Sequence, residues 1–305
     1  MVNFEENDDL KNFISGFSIE VLPKSASKIE SFTEILPKQT RVYIAHLADE
    51  DISAMVSTAK RLSDEGFTVM PHFPARIIQD SVMLHDWISM YQNEAGVEEA
   101  LLLAGGLKRP VGDFDSSIQL IESGLFDKAG FKRLHIAGHP EGNKDIDPNG
   151  GIKNVSEALS WKQEFSKRTD AAMAITTQFC FDADVVINWA DQIKTDGIDI
   201  PIHIGIAGPA KLQTLIKFSV ECGIGASMKV LTNRAKDLTK LLLPYQPTQI
   251  LNDLASYKVN NPQLNIDQVH FFPLGGIKQA ANWASEQKRY KDHFCQFFKL
   301  NFSIY

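Results

Sequence analysis

The feature that most constrains the fold is a regular alternation of short apolar segments with longer amphipathic ones along almost the whole chain. The short segments are rich in β-branched and aromatic residues and lie at 17–22, 41–47, 67–72, 100–105, 133–138, 172–179, 200–206 and 269–274. Between them, stretches such as 51–66, 155–168 and 182–197 repeat apolar residues at helical spacing, and Asp182 is the predicted N-cap of the last. Apolar strands that alternate with helices favour a parallel sheet covered by helices.

Eight such units favour a closed barrel over an open doubly wound sheet. The segment after the first strand, EVLPKSAS, also lacks the glycine pattern of a dinucleotide-binding turn. A (β/α)8 barrel takes about 250 residues, which fits a chain of 305. We therefore predict one α/β domain over residues 1–305, a (β/α)8 (TIM) barrel with its core at about 15–287. Extra helices are expected between strands 7 and 8, around 230–242 and 246–257. The aromatic tail, 288–305, is expected to form a helix on the barrel or at a subunit contact.

Charge and cysteine content exclude several classes of protein. The net charge of −7 argues against nonspecific binding of nucleic acid, which relies on clustered basic residues. Cys180, Cys222 and Cys295 form no CxxC pair, so neither a disulfide framework nor a cysteine zinc site is indicated. No signal peptide and no apolar run of about 18 residues is present, so we expect no membrane partner and a cytoplasmic location.

The active site of such a barrel lies at the C-terminal ends of its strands. The residues at these ends are Glu20, His46, His72, Gly105–Gly106, His139 with Glu141, Gln178 and Gly275–Gly276. No GxSxG elbow is present for a serine nucleophile. Because the histidines show neither HxH nor HExxH spacing, no metal site is predicted. His203 and His270 are assigned to hydrogen-bonded positions in the core or at the rim.

Glu20 is the sharpest candidate because it is a carboxylate flanked by Ile19 and Val21 inside a strand. Its side chain must point either into the barrel mouth or into the helix layer. Burial without a cationic partner would raise its pKa, as a general acid near neutral pH requires. The alternative is a structural ion pair with a Lys or Arg of a neighbouring strand, and position alone favours neither. Gln178 on its own is better explained by a hydrogen bond at the barrel rim than by a heterocyclic ligand.

Six segments, in the same order, resemble the methylenetetrahydrofolate reductase family. They are FSIEVLPKSASK, which is similar to the family's opening FEFFPP strand; MPHF at 70–73; AGHPEG at 137–142; AITTQFCFDAD at 174–184, which is close to ITQFFFD; GIAGPAKLQTLIKF at 205–218; and HFFPL at 270–274. The resemblance covers roughly residues 15–287. It is carried mainly by Glu20 and the Gln178 motif, which occur in order on an eight-unit barrel.

The resemblance implies a flavoprotein oxidoreductase of one-carbon metabolism and methionine biosynthesis. FAD, reduced by NAD(P)H, would interconvert 5,10-methylenetetrahydrofolate and 5-methyltetrahydrofolate, with Glu20 as the general acid. The residues matched to substrate binding are Gln178, Phe218 and Gln213. Those matched to cofactor binding are His46, His72, Ala104, Gly105, Gly106, His139, Asn143 and Lys162. A small-molecule partner, a reduced folate, and a homo-oligomer are expected on the same grounds.

The chain departs from the family pattern mainly in its charges. Ala104 and Gly106 replace the arginine and aspartate of an RGD segment, and Asn143 replaces a histidine. Gln163 and Glu164 stand where a basic pair reaches the FAD phosphates, with Lys162 beside them. The alternative is therefore a folate-binding protein without FAD, a methyl- or C1-transfer protein or a carrier on the same barrel. The choice between NADH and NADPH and the direction of the reaction stay open.

Overall fold

The chain folds into a closed parallel barrel. The structure is a computed structural model and describes residues 4–225, 227–236 and 243–289. Eight strands pair in sequential order and β1 closes onto β8. They are β1 Ser18–Val21, β2 Arg41–Ile44, β3 Thr68–Pro74, β4 Glu99–Leu103, β5 Arg133–Gly138, β6 Ala172–Thr177, β7 Ile202–Ala207 and β8 Ile266–Phe272. The prediction of a (β/α)8 barrel is confirmed.

Helices cover the outside of the barrel and follow the strands. In the described residues they are α1 Phe4–Ile14, α2 Pro23–Ala26, α3 Ile52–Asp64, α4 Ser81–Ala95, α5 Ser117–Glu122, α6 Leu125–Lys128, α7 Lys153–Ser166, α8 Ala183–Thr195, α9 Leu212–Glu221, α10 Met228–Lys236, α11 Thr248–Asn260 and α12 Ile277–Arg289. The extra helices predicted between β7 and β8, around 230–242 and 246–257, correspond to α10 and α11, although 237–242 lies outside the described residues. Over the described ranges, no helix has both the length and the apolar character needed to cross a membrane. Most of the aromatic tail, residues 290–305, lies outside the described residues.

Capping residues set where the helices begin. Asp182 accepts a hydrogen bond from the backbone N–H of residue 184 at 3.1 Å, which confirms it as the N-cap of α8. Asp51 caps α3 in the same way. Gly66, just after α3, has φ +88°, a left-handed conformation that glycine adopts without strain. Local sequence therefore fixes the helix ends that deliver the chain to the next strand.

The inside of the barrel is unusually polar. Interiors of this fold are mostly filled by bulky branched apolar side chains, and here Tyr43, Met70 and Leu101 form only a small apolar cluster. The polar residues buried beside it on the strands are Ser18, His72, His135, Thr176, His203 and His270. At the opposite end from the mouth, Arg41 pairs with Glu99 at 2.5 Å. The larger apolar core lies between the strands and the helices. Polar groups therefore continue through the barrel to its mouth, the end formed by the C-terminal ends of the strands.

Candidate functional site

Glu20 lies inside the barrel near the mouth, between two histidines. Its Oε2 is 3.3 Å from Nε2 of His72 on β3 and 3.9 Å from Nε2 of His270 on β8. The Glu20 side chain keeps 19% of its surface exposed, while His72 keeps 10% and His270 none. Of the two directions open to Glu20, the structure shows the one into the barrel. Its partners are imidazoles, not the Lys or Arg of the ion-pair alternative.

These neighbours reverse the expected direction of the Glu20 pKa. Burial raises this pKa, but the neighbouring imidazoles of His270 and His72 outweigh burial and lower it to about 2. Neither Nε2 atom forms a hydrogen bond of ordinary geometry, so the carboxylate and the two imidazoles lie side by side without a directional bond between them. The condition for a raised pKa, burial away from other titratable groups, is therefore not met, because His72 and the buried His270 both face Glu20. Glu20 is ionised near neutral pH.

His270 is held in place by two further polar residues that the sequence reasoning did not single out. Ser18 Oγ lies 2.9 Å from Nδ1 of His270, and the rings of Tyr43 and His270 are 4.3 Å apart. The Tyr43 hydroxyl lies 2.5 Å from Nδ1 of His135 and 3.2 Å from Oγ1 of Thr176. Burial raises the pKa of Tyr43, so this residue stays a neutral phenol. The available signal was the two-residue period of β1, which puts Ser18 on the same face as Glu20.

His46 is buried next to this cluster but is anchored in its own loop after β2. Its ring stacks on Trp87 with centroids 4.9 Å apart, and its Nε2 lies 3.2 Å from the carbonyl oxygen of Glu50. Burial lowers its pKa. Its Nδ1 is buried without a hydrogen-bond partner in the described residues. The structure thus places His46 beside the cluster, but its ring nitrogens are either buried or bound within its own loop, and its predicted contact with a cofactor stays a prediction.

The predicted cofactor residues at the end of β4, in the loop at 104–106, carry no charge themselves, and Gly105 packs tightly against β3. A Cβ atom on Gly105, which has φ +96°, would lie 2.8 Å from Cβ of Pro74, whereas Gly106 is surrounded by open space. Arg76 fixes this loop because its backbone N–H donates to the carbonyl oxygen of Ala104 at 2.9 Å. Its buried guanidinium donates to Asp115 at 2.6 Å and to Asp145 at 2.5 Å. Arg76, another residue that the sequence reasoning missed, therefore joins the loops that follow β3, β4 and β5.

His139 and Lys162 form a basic recess beside the end of β5. Lys162, on α7, is 7% exposed, and we find no hydrogen bond or salt bridge from its ammonium group to any described residue. Burial lowers the pKa of Lys162 to about 8. Burial and the charge of Lys162 lower the pKa of His139 to about 4. Two basic groups without a carboxylate partner can hold an anion.

Three polar residues near this recess make hydrogen bonds to the backbone that stabilise the fold. The side-chain oxygen of Asn143 accepts from the backbone N–H groups of residues 145 and 146, within its own turn. The side-chain oxygen of Gln163 accepts hydrogen bonds from the backbone N–H groups of residues 199 and 200, just before β7. Asp147 accepts from the first backbone N–H groups of α7. The predicted cofactor contact of Asn143 stays a prediction, and the N-terminus of α7 is already capped by a carboxylate.

The predicted substrate residues lie at the ends of β6 and β7. The Oε1 atom of Gln178 accepts from the backbone N–H of Phe179 at 3.1 Å, and its amide NH2 makes no hydrogen bond in the described residues. On α9, Phe218 is half-buried against the apolar cluster that contains Phe179, while Gln213 is exposed. Phe218 therefore packs on the cluster that follows the ends of β6 and β7, whereas Gln213 points away into solvent.

No metal site is evident in the described ranges. They contain no group of three or more His, Cys, Asp or Glu side chains that could hold a metal ion. Cys180 and Cys222 are free thiols, and Cys295 lies outside the described residues. Glu141, in the loop after β5, has an identified structural role: it accepts from the backbone N–H of Gly225 at 2.8 Å and from the hydroxyl of Ser227. It thereby ties this loop to the start of α10.

Comparison with known proteins gives one short sequence match and a match of the whole barrel. No protein-family model matches the chain. A stretch of 73 residues, 24% of the chain, is 37% identical to methylenetetrahydrofolate reductase 2 of Saccharomyces cerevisiae and spans 11% of that protein. A solved structure from Clostridium thermocellum is described as an uncharacterised protein that binds two copies of 5-methyl-5,6,7,8-tetrahydrofolic acid. It covers 92% of this chain and 98% of its own, with 13% identity and a TM-score of 0.55. At that identity the likeness shows a shared fold.

Proposed function

We propose that this chain, a divergent relative of the methylenetetrahydrofolate reductases, interconverts 5,10-methylenetetrahydrofolate and 5-methyltetrahydrofolate with FAD and NAD(P)H. The observation that carries the proposal is the carboxylate of Glu20 between the imidazoles of His72 and His270 at the barrel mouth. Such a cluster can exchange a proton with a ligand. The Clostridium thermocellum barrel is described as binding a reduced folate, which supports that ligand class here. A cytoplasmic location and a homo-oligomer belong to the same proposal.

The folate would bind across the ends of β6 and β7. The free amide NH2 of Gln178 would donate a hydrogen bond to the pterin, and the half-buried ring of Phe218 would lie against its face. Gln213 would contribute only from the exposed side of α9. Such a site would place the pterin above the interior of the barrel, where Glu20 and His72 lie.

The residues on the β5 side of the mouth fit an anionic cofactor. The diphosphate of FAD would pair with Lys162 and His139, which have no carboxylate partner in the described residues. The loop at 104–106 presents backbone with no charged side chain, and Gly106 leaves open space for a ring system. FAD, when bound, supplies the chemistry that accepts hydride from NAD(P)H and passes it to the one-carbon unit.

The chain's own contribution to the reaction is positioning and proton transfer. In the reducing direction a proton from the Glu20–His72–His270 cluster forms an N–H bond on the folate as the five-membered ring opens at its C–N bond. In the oxidising direction the same proton returns to the cluster. Ser18 and Tyr43 hold the His270 ring from the opposite side and so keep the cluster in place.

A folate-binding C1- or methyl-transfer protein, or a carrier, without FAD is the second candidate. It is favoured by the structural use of the residues near the predicted phosphate site. Gln163 is bound to the backbone before β7, and the N-terminus of α7 is capped by Asp147. Neither is free to receive a phosphate group.

Purified protein separates the two candidates. Under the proposed function it is yellow, releases FAD on denaturation and is reduced by NAD(P)H. Glu20→Gln should lower turnover with folate by about 10²–10⁴-fold, the usual contribution of acid–base catalysis, and leave reduction of the flavin by NAD(P)H largely intact. Glu34→Gln, at an exposed position, is the matched control and should change neither rate. Colourless protein that takes up no FAD but binds 5-methyltetrahydrofolate supports the second candidate, and protein that binds neither contradicts both.

A further inference from the structure

The arrangement around Glu20 bears on which group holds the exchangeable proton. One carboxylate oxygen faces two imidazole nitrogens, at 3.3 and 3.9 Å. The ordinary pKa of histidine, 6.5, lies above that of glutamate, 4.5. The first proton to enter the cluster therefore goes to an imidazole, where the carboxylate stabilises it as an ion pair.

The two histidines differ in their access to the mouth. His270 is fully buried, with its Nδ1 against Ser18 and its ring against Tyr43. His72 keeps 10% of its side chain exposed while its Nε2, the atom facing Glu20, is buried. Its other ring nitrogen, Nδ1, makes no hydrogen bond in the described residues. Unlike Nε2, it is not fully buried. His72 is thus the imidazole with one nitrogen on the carboxylate and the other open to a ligand.

We propose that His72 carries the proton that this site exchanges with its ligand, while Glu20 stays ionised as the fixed counter-ion of His72. The identity of the ligand as a reduced folate rests on the proposed function above. The assignment of the proton to His72 rests on the geometry of the cluster. It makes His72 the catalytic residue for proton transfer and Glu20 the residue that orients and stabilises it.

The proposed step balances in atoms and charge. The N–H bond at Nδ1 of His72 breaks, and its proton forms a new N–H bond on the folate nitrogen whose C–N bond opens. The imidazolium becomes a neutral imidazole whose Nε2–H still faces Glu20. The opened folate carries the positive charge as an iminium, so the Glu20 carboxylate faces a cation before and after the transfer. A fixed anion in this place stabilises the ring-opened state electrostatically.

Among the described residues, Glu20 is the charged group that faces His72 near neutral pH. The described titratable groups around the Glu20–His72 pair come from β1, β2, the loop after β2, the end of α9 and β8, and they are Glu20, Tyr43, His46, Cys222 and His270. Burial raises the pKa of Tyr43 and raises that of Cys222 to about 11, so both are neutral. Burial lowers the pKa of His46 and of His270, which also favours their neutral forms. His72 is the imidazole of this set that combines contact with Glu20 and a ring nitrogen open to the mouth.

Nuclear magnetic resonance of the full chain tests the assignment without any turnover. Protein labelled with ¹⁵N in histidine and ¹³C in the glutamate δ-carboxyl is titrated from pH 8 to pH 5.5, alone and with 5-methyltetrahydrofolate. His72→Gln identifies the His72 signals, and His85→Gln, at an exposed position on α4, is the matched control. We expect His72 to become an imidazolium while the Glu20 carboxyl signal stays that of an ionised group. In Glu20→Gln, the affinity of His72 for its proton should fall at least tenfold.

Three results would overturn the proposal: a Glu20 carboxyl that takes up the proton in this range, a His270 that titrates in place of His72, or a His72 titration that Glu20→Gln does not move. None of them depends on FAD, so the proposed function can fail while this result stands. The reverse also holds, since a yellow, active protein in which Glu20 takes up the proton supports the reductase and rejects His72 as the donor.

Discussion

Replacing Lys162 with methionine should stabilise the ligand-free protein. Burial lowers the pKa of Lys162 from 10.5 to about 8, and a tenfold change in a protonation equilibrium is worth about 1.4 kcal/mol. Keeping this ammonium charged at pH 7 therefore costs the folded state about 3 kcal/mol. Methionine fills a similar volume without charge, so Lys162→Met should raise the free energy of unfolding at pH 7 by up to about that amount.

The pH dependence of this gain has a definite sign. The folded pKa lies below the unfolded value, so between pH 8 and 10.5 the wild-type fold loses its proton and with it the cost of burying the charge. The advantage of Lys162→Met should shrink over this window and vanish above pH 10.5. Urea unfolding at pH 7 and pH 10.5 measures both values. Lys153→Met, at a position 82% exposed on the same helix, is the control and should change neither.

The same substitution should weaken binding of an anionic cofactor. If Lys162 and His139 hold the FAD diphosphate, removing one charge-assisted hydrogen bond costs about 1.5–3 kcal/mol, which corresponds to a loss of affinity of about 10- to 150-fold. A variant that is less stable than wild type at pH 7 would refute the account of Lys162 as an unpaired buried charge. A variant that is more stable but binds FAD with unchanged affinity would show that Lys162 does not contact the cofactor.

Two further predictions concern acid stability and the flavin. Burial lowers the pKa of several histidines in the folded chain, so below pH 6.5 the unfolded chain binds more protons than the folded chain. The free energy of unfolding then falls by up to about 1.4 kcal/mol per group and pH unit. The groups concerned are His46, His135, His139, His203 and His270. His139, with a folded pKa of about 4, alone should lower the free energy of unfolding by about 2 kcal/mol between pH 6.5 and pH 5, and the other groups act in the same direction; unchanged urea stability from pH 7 to pH 5 would exclude this. With FAD bound, Gly106→Asp, which the open space there allows, should lower the flavin reduction potential relative to Gly106→Asn, because a nearby carboxylate opposes the negative charge of the reduced flavin. Equal potentials in a redox titration would show that this loop does not face the ring.

The fold was predictable because its pattern is local and repeated. Each strand is a short apolar run. Most of the helices between the strands have an apolar face and residues that mark where they begin or end. The same sequence pattern therefore occurs eight times and points to the same fold each time. The errors lie at boundaries. The last strand was predicted at 269–274 and runs from Ile266 to Phe272, since Asp267 and Gln268, at the N-terminal rim, interrupt the apolar run that marks the other strands.

The chemistry of the site was predictable only in part because it depends on closure of the barrel. Glu20 and His72 could be placed at strand ends, but the direction of the Glu20 pKa depends on His270. That residue meets β1 only because β8 pairs with it, with Ser18 in register with His270 across 252 positions of sequence. No local sequence pattern predicts this contact between β1 and β8. The two-residue period shows which residues of β1 share a face, but not which residues of β8 they meet.

The departures from the family pattern are unevenly distributed in the structure. The missing charges at positions 104 and 106 lie on the loop that Arg76 fixes, and Gln163 serves the backbone before β7. These positions surround the predicted cofactor, whereas the Glu20–His72–His270 cluster, for which we propose proton exchange with folate, is held from behind by Ser18 and Tyr43. The departures from the family pattern therefore fall on the proposed cofactor side of the site. A measurement of folate binding tests what both candidate functions share, and only the flavin spectrum then decides between them.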